Sequence, residues 1–350
     1  MPQIGSDALR QFAQALLQSL GGAPEEASLV ASLLVDADLS GHDSHGVIQL
    51  PGYLEAHSEG LIVPGAVFTR ERERAATALI DGHWGFGHRL AHEAIALALD
   101  KANQCGISAV GAYHCYHAGH LGAYARLAAE AGMVGIIAVN DGGGGQRVVP
   151  YGGISGRLST NPLAVGLPTD TTAPVILDMS TSVVAEGQVR LKRLRGEPMP
   201  LGWMIDVWGQ ATTDPEDFFR LTGSLLPLGG NVGHKGYGLG LAVEVLAGIL
   251  GRAGHSRAQI APYNNGLFMM VIDVGRFLLL EEFTAEVRNL LSYIKSCPPT
   301  SGVDEIVYPG ERAGRTRCYR QHHGIPIDPE TWRHLQTIAQ ARGIQVPDSV

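Results

Sequence analysis

Apolar residues recur every three to four positions near the start of the chain, which is the spacing of one face of an α-helix. Leu9, Phe12 and Leu16 share such a face, so the pattern predicts a helix over 6–20. Pro24 suits the first turn of a second helix, predicted over 24–39, because proline lacks the N–H that this turn leaves unpaired. A third helix is predicted over 48–58, so the N-terminal part of the chain reads as helical.

From residue 76 onward, short apolar runs alternate with longer amphipathic stretches, a pattern typical of an α/β core. A nearly continuous apolar run over 236–250 predicts a buried helix. The stretch 196–233 is rich in proline, glycine and aspartate, so it is predicted to be irregular. The predicted strands are 76–80, 107–113, 134–140, 163–167, 175–178 and 267–273, and the predicted helices of the core are 86–103, 118–131 and 186–194.

Three further helices are predicted near the C-terminus, over 284–295, 311–322 and 329–342. We expect them to pack against the N-terminal helices. The predicted organisation is a helical part at 1–75, an α/β core that binds cofactor and substrate at 76–280, and C-terminal helices at 281–350 that return to the terminal lobe.

Composition narrows the possible partners. The chain has a net charge of −8 and no basic block, which argues against nucleic acid as a partner. Its apolar runs are too short to cross a bilayer, and its N-terminus lacks a signal pattern, so no membrane partner is expected. Four cysteines without a C-x-x-C pair suit the reduced thiols of a cytoplasmic protein.

The candidate chemistry begins at the turn 41–46, Gly-His-Asp-Ser-His-Gly. A histidine can give or take a proton near neutral pH, so His45 is a candidate acid/base. Ser44 beside it is placed to orient a substrate carbonyl. The alternative is a structural histidine that its neighbours satisfy, and Asp43, Ser44 and Gly46 shift the balance toward catalysis.

A second histidine cluster lies between a predicted strand and a predicted helix, where an α/β sheet presents functional groups. His117, followed by Ala118 and Gly119, can face a small ligand at the helix start. His114, Cys115 and His117 also suggest a zinc site, although their spacing matches no standard zinc pattern. For His114 and His120, a role as polar loop residues remains open.

Further candidates lie downstream. Lys235 is one of only four lysines, and its place at the start of a helix suits a phosphate or a ribose edge, although a plain surface lysine is an equal reading. The run 178–182 offers a carboxylate and three hydroxyls at a strand end. The glycine runs match neither G-x-G-x-x-G nor a Walker sequence, so no Rossmann site is indicated. The loop 140–146 can still offer backbone N–H groups to a phosphate.

Taken together and in order, these segments resemble the malate/L-lactate dehydrogenase family, which is distinct from the Rossmann-type lactate dehydrogenases. The resemblance extends from about residue 9 to about residue 342, and around 41–53 it is most similar to hydroxycarboxylate dehydrogenases of the B type. The segments that carry it are Asp43-Ser44-His45-Gly46, His117-Ala118-Gly119, Thr160-Asn161-Pro162, Asp178-Met179-Ser180-Thr181-Ser182, Thr213-Asp214-Pro215, His234-Lys235-Gly236-Tyr237-Gly238 and Tyr308-Pro309-Gly310-Glu311.

The resemblance implies a non-Rossmann α/β fold of the sulfolactate dehydrogenase type, a homodimer, and NAD or NADP bound between domains. It also implies hydride transfer between the nicotinamide and a 2-hydroxy or 2-oxo carboxylic acid. The catalytic residues carried over are His45, His117, Ser44 and Asp178. The cofactor contacts carried over are Asp141, Asn161, Asp178, Met179, Ser180, His234, Lys235, Gly236, Pro309, Gly310 and Glu311.

Two departures from the family pattern bear on the substrate. Many members have an arginine where Gln49 stands, and arginine is a natural clamp for a carboxylate. The glycines at 142–145 also lengthen the loop on the cofactor side. The alternative function from a different class is a metal-dependent hydrolase or lyase that uses His114, Cys115 and His117.

Overall fold

The computed structural model describes residues 1–171, 173–259 and 263–349. The helices are α1 (Ser6–Gln18), α2 (Pro24–Leu39), α3 (Leu50–Ser58), α4 (Gly87–Cys105), α5 (Leu121–Glu130), α6 (Glu186–Leu194), α7 (Pro215–Phe219), α8 (His234–Val243), α9 (Leu280–Lys295), α10 (Glu311–His323) and α11 (Pro329–Ala341). The strands are β1 (Gln3–Ile4), β2 (Thr69–Glu73), β3 (Thr77–Gly85), β4 (Ile107–Cys115), β5 (Met133–Asn140), β6 (Leu163–Leu167), β7 (Val175–Met179), β8 (Met204–Asp206), β9 (Ala211–Thr212), β10 (Gly223–Leu225), β11 (Asn265–Asp273) and β12 (Ile325–Pro326).

A seven-stranded sheet in the order β2-β3-β4-β11-β5-β6-β7 forms the centre of the molecule. Strand β11 lies between β4 and β5 and runs antiparallel to both, so that Met269 faces Val110 on one side and Ile137 on the other. Among the described strands of this sheet, only β3 and β4 are parallel neighbours. A doubly wound Rossmann sheet is built from parallel strands. This sheet therefore has a different, mixed topology.

Helices α4 and α5 cover one face of the sheet. Leu90, Ala94 and Ala98 are fully buried, and they lie on one side of α4 because they are spaced four residues apart. They share a core with sheet residues such as Val110 and Ile137. The small alanines bring the helix close to the sheet, so the loops at the strand ends meet in a confined space.

The two ends of the chain share a second core. Phe12 of α1 lies 5.5 Å from Trp332 of α11, measured between ring centroids. Leu335 and Ile325 are fully buried in the same cluster as the apolar faces of α1, α2 and α3. Strands β1 and β12 pair antiparallel beside it. The N-terminal and C-terminal helices thus form one packed lobe, while the division of the chain at residues 75 and 280 stays a prediction.

The prediction of an irregular stretch over 196–233 is wrong. This stretch contains the three-stranded sheet β10-β8-β9 and the short helix α7. Met204, Phe218 and Leu225 are fully buried there and form a small core of their own. The strands are only two or three residues long, so no period of alternation could develop in the sequence.

The prediction of a buried helix over 236–250 is also wrong in part. Helix α8 continues into a π-helical segment at Glu244–Leu250. One side is buried at Val243 and Ala247, but Leu241, Val245 and Ile249 are 45%, 44% and 55% exposed. An apolar sequence indicates that a surface will be buried, but it does not say by what. Within the single chain, no described residue covers the surface formed by these three side chains. No helix in the described ranges is both long and apolar enough to cross a bilayer.

Candidate active site

The turn after α2 is held from two directions. Asp38 accepts a hydrogen bond from the N–H of Val47 at 2.9 Å, and Arg320 of α10 contacts both Asp43 and the carbonyl of Asp38. A side chain at Gly46 would place its Cβ 1.7 Å from a carboxylate oxygen of Asp38, so only glycine fits there. The turn is therefore rigidly placed between the terminal lobe and the sheet.

Two openings flank this turn. On one side lies a groove of about 660 Å³, lined by His42, Ser44, Asp178 and Gly310 among others. On the other side lies a cavity of about 590 Å³, lined by Ser44, His45 and His117 among others. Ser44 belongs to both linings. The turn thus lies between the two openings, so a molecule in the groove and a molecule in the cavity would both contact it.

His45 and His117 face each other in the cavity, with their ring centroids 5.6 Å apart. Nδ1 of His45 lies 2.9 Å from the Ser44 hydroxyl, and Nδ1 of His117 lies 2.6 Å from the Tyr53 hydroxyl. These contacts fix the orientation of both rings and leave Nε2 of each as the nitrogen that can meet a substrate. His88 packs edge-on against His117 at 6.0 Å, behind the pair.

The surroundings keep these imidazoles neutral. Burial lowers the pKa of His45 to about 4, and the nearby His120 adds to this effect. Burial lowers the pKa of His117 well below its ordinary value, with further contributions from His45 and His88. The reason is that a charged ring loses its hydration when it is enclosed. At neutral pH both histidines are therefore placed to accept a proton.

His117 is held in place by residues from two other elements. The start of α4 presses against its backbone, since a Cβ at Gly87 would lie 2.6 Å from the carbonyl carbon of His117. Asn265, at the start of β11, accepts a hydrogen bond from the N–H of Ala118 at 2.8 Å. Nδ2 of Asn265 also donates to Asp141 at 3.1 Å. Asn265 therefore joins the histidine loop to the glycine-rich loop.

Asp141, predicted to contact the cofactor, lines the cavity and not the groove, and its cofactor role stays a prediction. Its second carboxylate oxygen accepts a hydrogen bond from Ser159 at 2.8 Å. Burial raises the pKa of Asp141 to about 7, although the bonds from Ser159 and Asn265 oppose the shift. The side chain is thus poised to change its protonation state near neutral pH, unlike an ordinary surface aspartate.

Asp178 lies in the groove and forms the centre of a second cluster. Its Oδ2 lies 3.0 Å from Nε2 of His120 and accepts a hydrogen bond from the N–H of Gly122 at 2.6 Å. Burial alone would raise the pKa of Asp178, but the bonds from His120 and Gly122 hold it below its usual value. His42 stacks on His120 with 4.0 Å between centroids. Asp178 therefore orients the wall of the groove; it is absent from the cavity lining, although its charge acts on His45.

Pro309 and Gly310, predicted as cofactor contacts, also line the groove, and that role stays a prediction. The carbonyl of Pro309 accepts a bond from the N–H of Ile176 in β7 at 3.0 Å. Glu311 turns away from the groove, because it pairs with Lys295 and accepts a bond from the N–H of Tyr308 at 3.2 Å. It stabilises the loop that presents its two neighbours.

Other residues predicted from the resemblance lie elsewhere. Asn161 is fully buried and donates to Gly240 and to Glu244, so it ties two segments of the fold together. The Ser180 hydroxyl donates to the carbonyl of Ser182, and neither Ser180 nor Met179 lines the groove or the cavity.

The start of α8, at His234, Lys235 and Gly236, is also absent from both linings. His234 and Lys235 are exposed, and His234 packs edge-on against Tyr151 at 5.6 Å. A cofactor role for these three residues stays a prediction.

The metal alternative finds no support in the geometry. The described residues contain no group of three His, Cys, Asp or Glu side chains placed to hold a metal ion. Nδ1 of His114 lies 3.1 Å from Asp81, whereas Nδ1 of His117 lies 2.6 Å from the Tyr53 hydroxyl, so the two rings have different partners. Cys115 is buried against the carbonyl of Asn265, and burial raises the pKa of its thiol far above the usual range. The hydrolase hypothesis built on this cluster is therefore wrong.

Several site residues escaped the sequence reasoning. Tyr53 and His88 lie inside helices, where nothing distinguishes them from core residues, and Asn265 begins a strand. His42 follows Gly41 in the turn 41–46, so its position beside a glycine was a usable signal. The others come from distant parts of the chain, and only the fold brings them beside His117.

The mixed sheet and the paired histidines define the class of protein. The solved structure of sulfolactate dehydrogenase from Methanocaldococcus jannaschii superposes with a TM-score of 0.86 at 32% identity, covering 99% of this chain and 98% of that chain. The predicted fold, an α/β fold of the sulfolactate dehydrogenase type, is confirmed.

The sequence profile of the malate/L-lactate dehydrogenase family matches residues 4–336. A malate dehydrogenase of Pyrococcus horikoshii is 38% identical, over 98% of this chain and 96% of that protein. Hydroxycarboxylate dehydrogenase B of Escherichia coli is 34% identical, over 98% of this chain and 95% of that protein. The chain belongs to the malate/L-lactate dehydrogenase family, so the prediction of a dehydrogenase is confirmed.

The groove has the chemistry to hold a dinucleotide. It is lined by three arginines, Arg126, Arg312 and Arg317, which suit phosphate oxygens. Nε of Arg126 is buried and makes no hydrogen bond to any residue that the structure describes. A Cβ at Gly310 would lie 2.9 Å from the backbone nitrogen of Ile176, so the backbone forms a close-fitting wall. The groove therefore fits an anionic cofactor, which would lie against Asp178, Pro309 and Gly310.

Proposed function

We propose that this protein catalyses reversible hydride transfer between NAD or NADP and C2 of a 2-hydroxy or 2-oxo carboxylic acid. The observation that carries the proposal is the position of the Ser44–His45 turn, between the arginine-lined groove and the histidine-lined cavity. Adjacent binding sites let the fold hold two reactants side by side, which reduces the entropy cost of bringing them together.

Nicotinamide, when bound, supplies or accepts the hydride. His45 then moves the proton. In oxidation its neutral Nε2 accepts the proton of the substrate hydroxyl, and in reduction the protonated ring returns a proton to the developing alkoxide. Ser44 holds Nδ1 of His45 at 2.9 Å and thereby keeps Nε2 directed at the substrate oxygen. An anionic substrate in the cavity raises the pKa of His45, because a nearby negative charge favours the imidazolium.

His117 is the second member of the pair. Tyr53 fixes its ring at 2.6 Å, and its centroid lies 5.6 Å from that of His45. We assign it to binding and orienting the substrate oxygen from the opposite side. Because its ring faces the same part of the cavity, His117 is the alternative acid/base if His45 does not serve this role.

The test is oxidation of NADH and of NADPH by the purified protein with pyruvate, phenylpyruvate, oxaloacetate, 2-oxoglutarate and a cyclic imine. Turnover with at least one 2-oxo acid is expected, and the ratio of the two rates identifies the cofactor. A change in NADH fluorescence without any turnover would keep the groove assignment and remove the substrate class. Absence of both would contradict the proposal.

We also propose that two copies of the chain associate through α8 and the π-helical segment Glu244–Leu250 that continues it. The exposed apolar residues Leu241, Val245 and Ile249 are four residues apart, so they form one stripe. Exposed apolar patches of this kind mark interaction surfaces. A second copy is the natural partner, since the resemblance to the family implies a homodimer.

Val245→Arg is expected to convert the dimer to a monomer, because burying an unpaired guanidinium opposes association. Light scattering after size exclusion would measure the mass, which should fall by half. Leu290→Arg on α9, where Leu290 is 56% exposed, is the matched control and should leave the mass unchanged. A monomer from the control alone would place the interface on α9 instead.

We place the protein in the cytoplasm. All four cysteines are free, and three of them, Cys105, Cys297 and Cys318, are exposed. Exposed free thiols persist in reducing compartments.

A further inference from the structure

The cavity beside His45 and His117 contains two guanidinium groups, those of Arg147 and Arg190. Arg147 is already engaged. Its Nη1 donates to the carbonyl of Phe218 at 3.0 Å, and its guanidinium lies 4.7 Å above the ring of the same residue. Arg147 therefore stabilises the small three-stranded domain, and a ligand would have to break these contacts to recruit it.

Arg190 is held much more loosely. Its one ion pair joins Nη2 to Glu186, one helical turn earlier, at 3.3 Å, and the side chains are 46% and 45% exposed. An exposed pair at this spacing contributes little to stability, so a ligand can replace it easily. Arg190 also lines the neighbouring surface groove beside Ile48 and Glu55, which shows room for the side chain to turn.

The position of α6 brings Arg190 toward the reacting residues. A Cβ at Gly187 would lie 2.6 Å from Cβ of Ser44, so the first turn of α6 presses directly on the catalytic turn. Arg190 lies three residues later on the same helix. Its charge reaches His117, because Arg190 is one of the neighbours that lower the pKa of that histidine.

Gln49 is unavailable for charge neutralisation. Its Nε2 donates to the carbonyl of Ser44 at 2.6 Å, so the amide holds the catalytic turn from below. Because the Gln49 amide is neutral and already hydrogen-bonded, it cannot supply a positive charge to a substrate carboxylate. The counter-charge must come from another residue of the cavity. A buried or partly buried carboxylate needs such a partner.

We propose that Arg190 binds the carboxylate of the substrate, and that the acidic rim around it restricts the enzyme to monocarboxylic 2-oxo and 2-hydroxy acids. This inference rests on the proposed function and names the substrate class of the same cavity. Arginine is suited to the task because its planar fork meets both carboxylate oxygens.

The rim explains the restriction to one carboxylate. Three glutamates line the cavity near Arg190, namely Glu55, Glu59 and Glu186. When Arg190 turns to the substrate, its ion pair with Glu186 is broken. The rim then carries three unpaired glutamate carboxylates beside the substrate carboxylate that Arg190 binds. A second carboxylate, as in oxaloacetate or malate, would face these like charges, which disfavours it.

Arg190→Gln is expected to raise KM for pyruvate by about tenfold to a hundredfold while kcat changes little, since a charge-assisted contact to the carboxylate is lost. Arg190→Lys should recover part of the loss. Arg193→Gln is the matched control on the same helix: Arg193 pairs with Glu216 and stacks on Phe219, and it is absent from the cavity lining. Wild-type KM in Arg190→Gln would overturn the assignment.

The ester of the substrate gives an independent readout. Wild-type enzyme should favour pyruvate strongly over methyl pyruvate, and Arg190→Gln should use the two about equally. A merely structural role of Arg190 would change both substrates in parallel. For the rim, Glu55→Gln with Glu59→Gln should raise kcat/KM for oxaloacetate relative to pyruvate. A wild-type enzyme that prefers oxaloacetate over pyruvate would overturn the monocarboxylate restriction.

A binding experiment separates this inference from the proposed reaction. If no 2-oxo acid is turned over, calorimetry with oxamate and NADH still tests the cavity. Oxamate that binds to wild type but not to Arg190→Gln supports the role of Arg190 even though the reaction assignment fails. Equal binding to both, or binding to neither, overturns it.

Discussion

His45→Ala is expected to lower kcat by about 10²–10⁴-fold, the usual loss when a positioned general acid/base is removed. The Ser44 hydroxyl holds Nδ1 of His45 at 2.9 Å, and the variant removes the imidazole to which we assign the proton transfer. NADH binding should survive, because His45 does not line the arginine-bearing groove. Steady-state kinetics and NADH fluorescence titration measure the two quantities separately.

The matched control is His114→Ala. Nδ1 of His114 lies 3.1 Å from Asp81 and its ring stacks on Trp84 at 5.0 Å, outside the cavity lining. It should keep kcat within a few-fold of wild type. If His45→Ala retains turnover while His117→Ala loses it, the acid/base role passes to His117.

Acidification from about pH 7.5 to about pH 5 is expected to reduce the free energy of unfolding steeply. Four buried histidines have pKa values held below the ordinary value of about 6.5, so unfolding binds protons as the pH falls through that range. Two buried carboxyls with raised pKa values act in the opposite direction, since the folded state holds their extra protons. The histidines are His42, His45, His88 and His117, and the carboxyls are Asp38 and Asp141.

The four histidines outnumber the two carboxyls, so unfolding takes up protons on balance near pH 5, and each net proton corresponds to about 1.4 kcal/mol of unfolding free energy lost per pH unit. Urea unfolding at a series of pH values measures this slope. His88→Phe should reduce it by about 1.4 kcal/mol per pH unit, because it removes one group whose pKa burial lowers to about 3. His322→Gln, at an exposed position, should leave the slope unchanged. A free energy of unfolding that does not change between pH 7.5 and pH 5 would contradict the conclusion that these buried histidines are neutral in the folded state.

Elements with a strong local period were predictable. Helix α2 spans Pro24–Leu39 and α6 spans Glu186–Leu194, both as predicted, because helical hydrogen bonds join residues four apart and leave their mark on the local sequence. Strand β2, Thr-Arg-Glu-Arg-Glu at 69–73, was missed because it is exposed along its whole length. An edge strand of this kind is defined by its partner β3 and has no apolar face of its own.

The candidate site was likewise predictable only in part. The Ser44–His45 turn could be recognised because glycines and reactive side chains are adjacent in sequence. The residues that contact the turn and His117 in space could not be predicted. Tyr53 meets His117 across 64 residues, and Asn265 meets Ala118 across 147. Such contacts depend on strand order, and a mixed sheet leaves no repeat in the sequence from which that order can be read.

The sequence by itself determined most of the helices, most of the central strands, the dehydrogenase family and the Ser44–His45 turn as a candidate site, since each is recognised from short segments of the chain. Tertiary structure alone decided which face of α8 stays uncovered and that Asn161 and Glu311 hold the fold together. It also decided that His114 pairs with Asp81 outside the cavity that His117 lines, and that Arg190 lines the same cavity as His117. The physical reason is that burial, charge neutralisation and pKa depend on neighbours in space, and packing supplies those neighbours from distant parts of the chain.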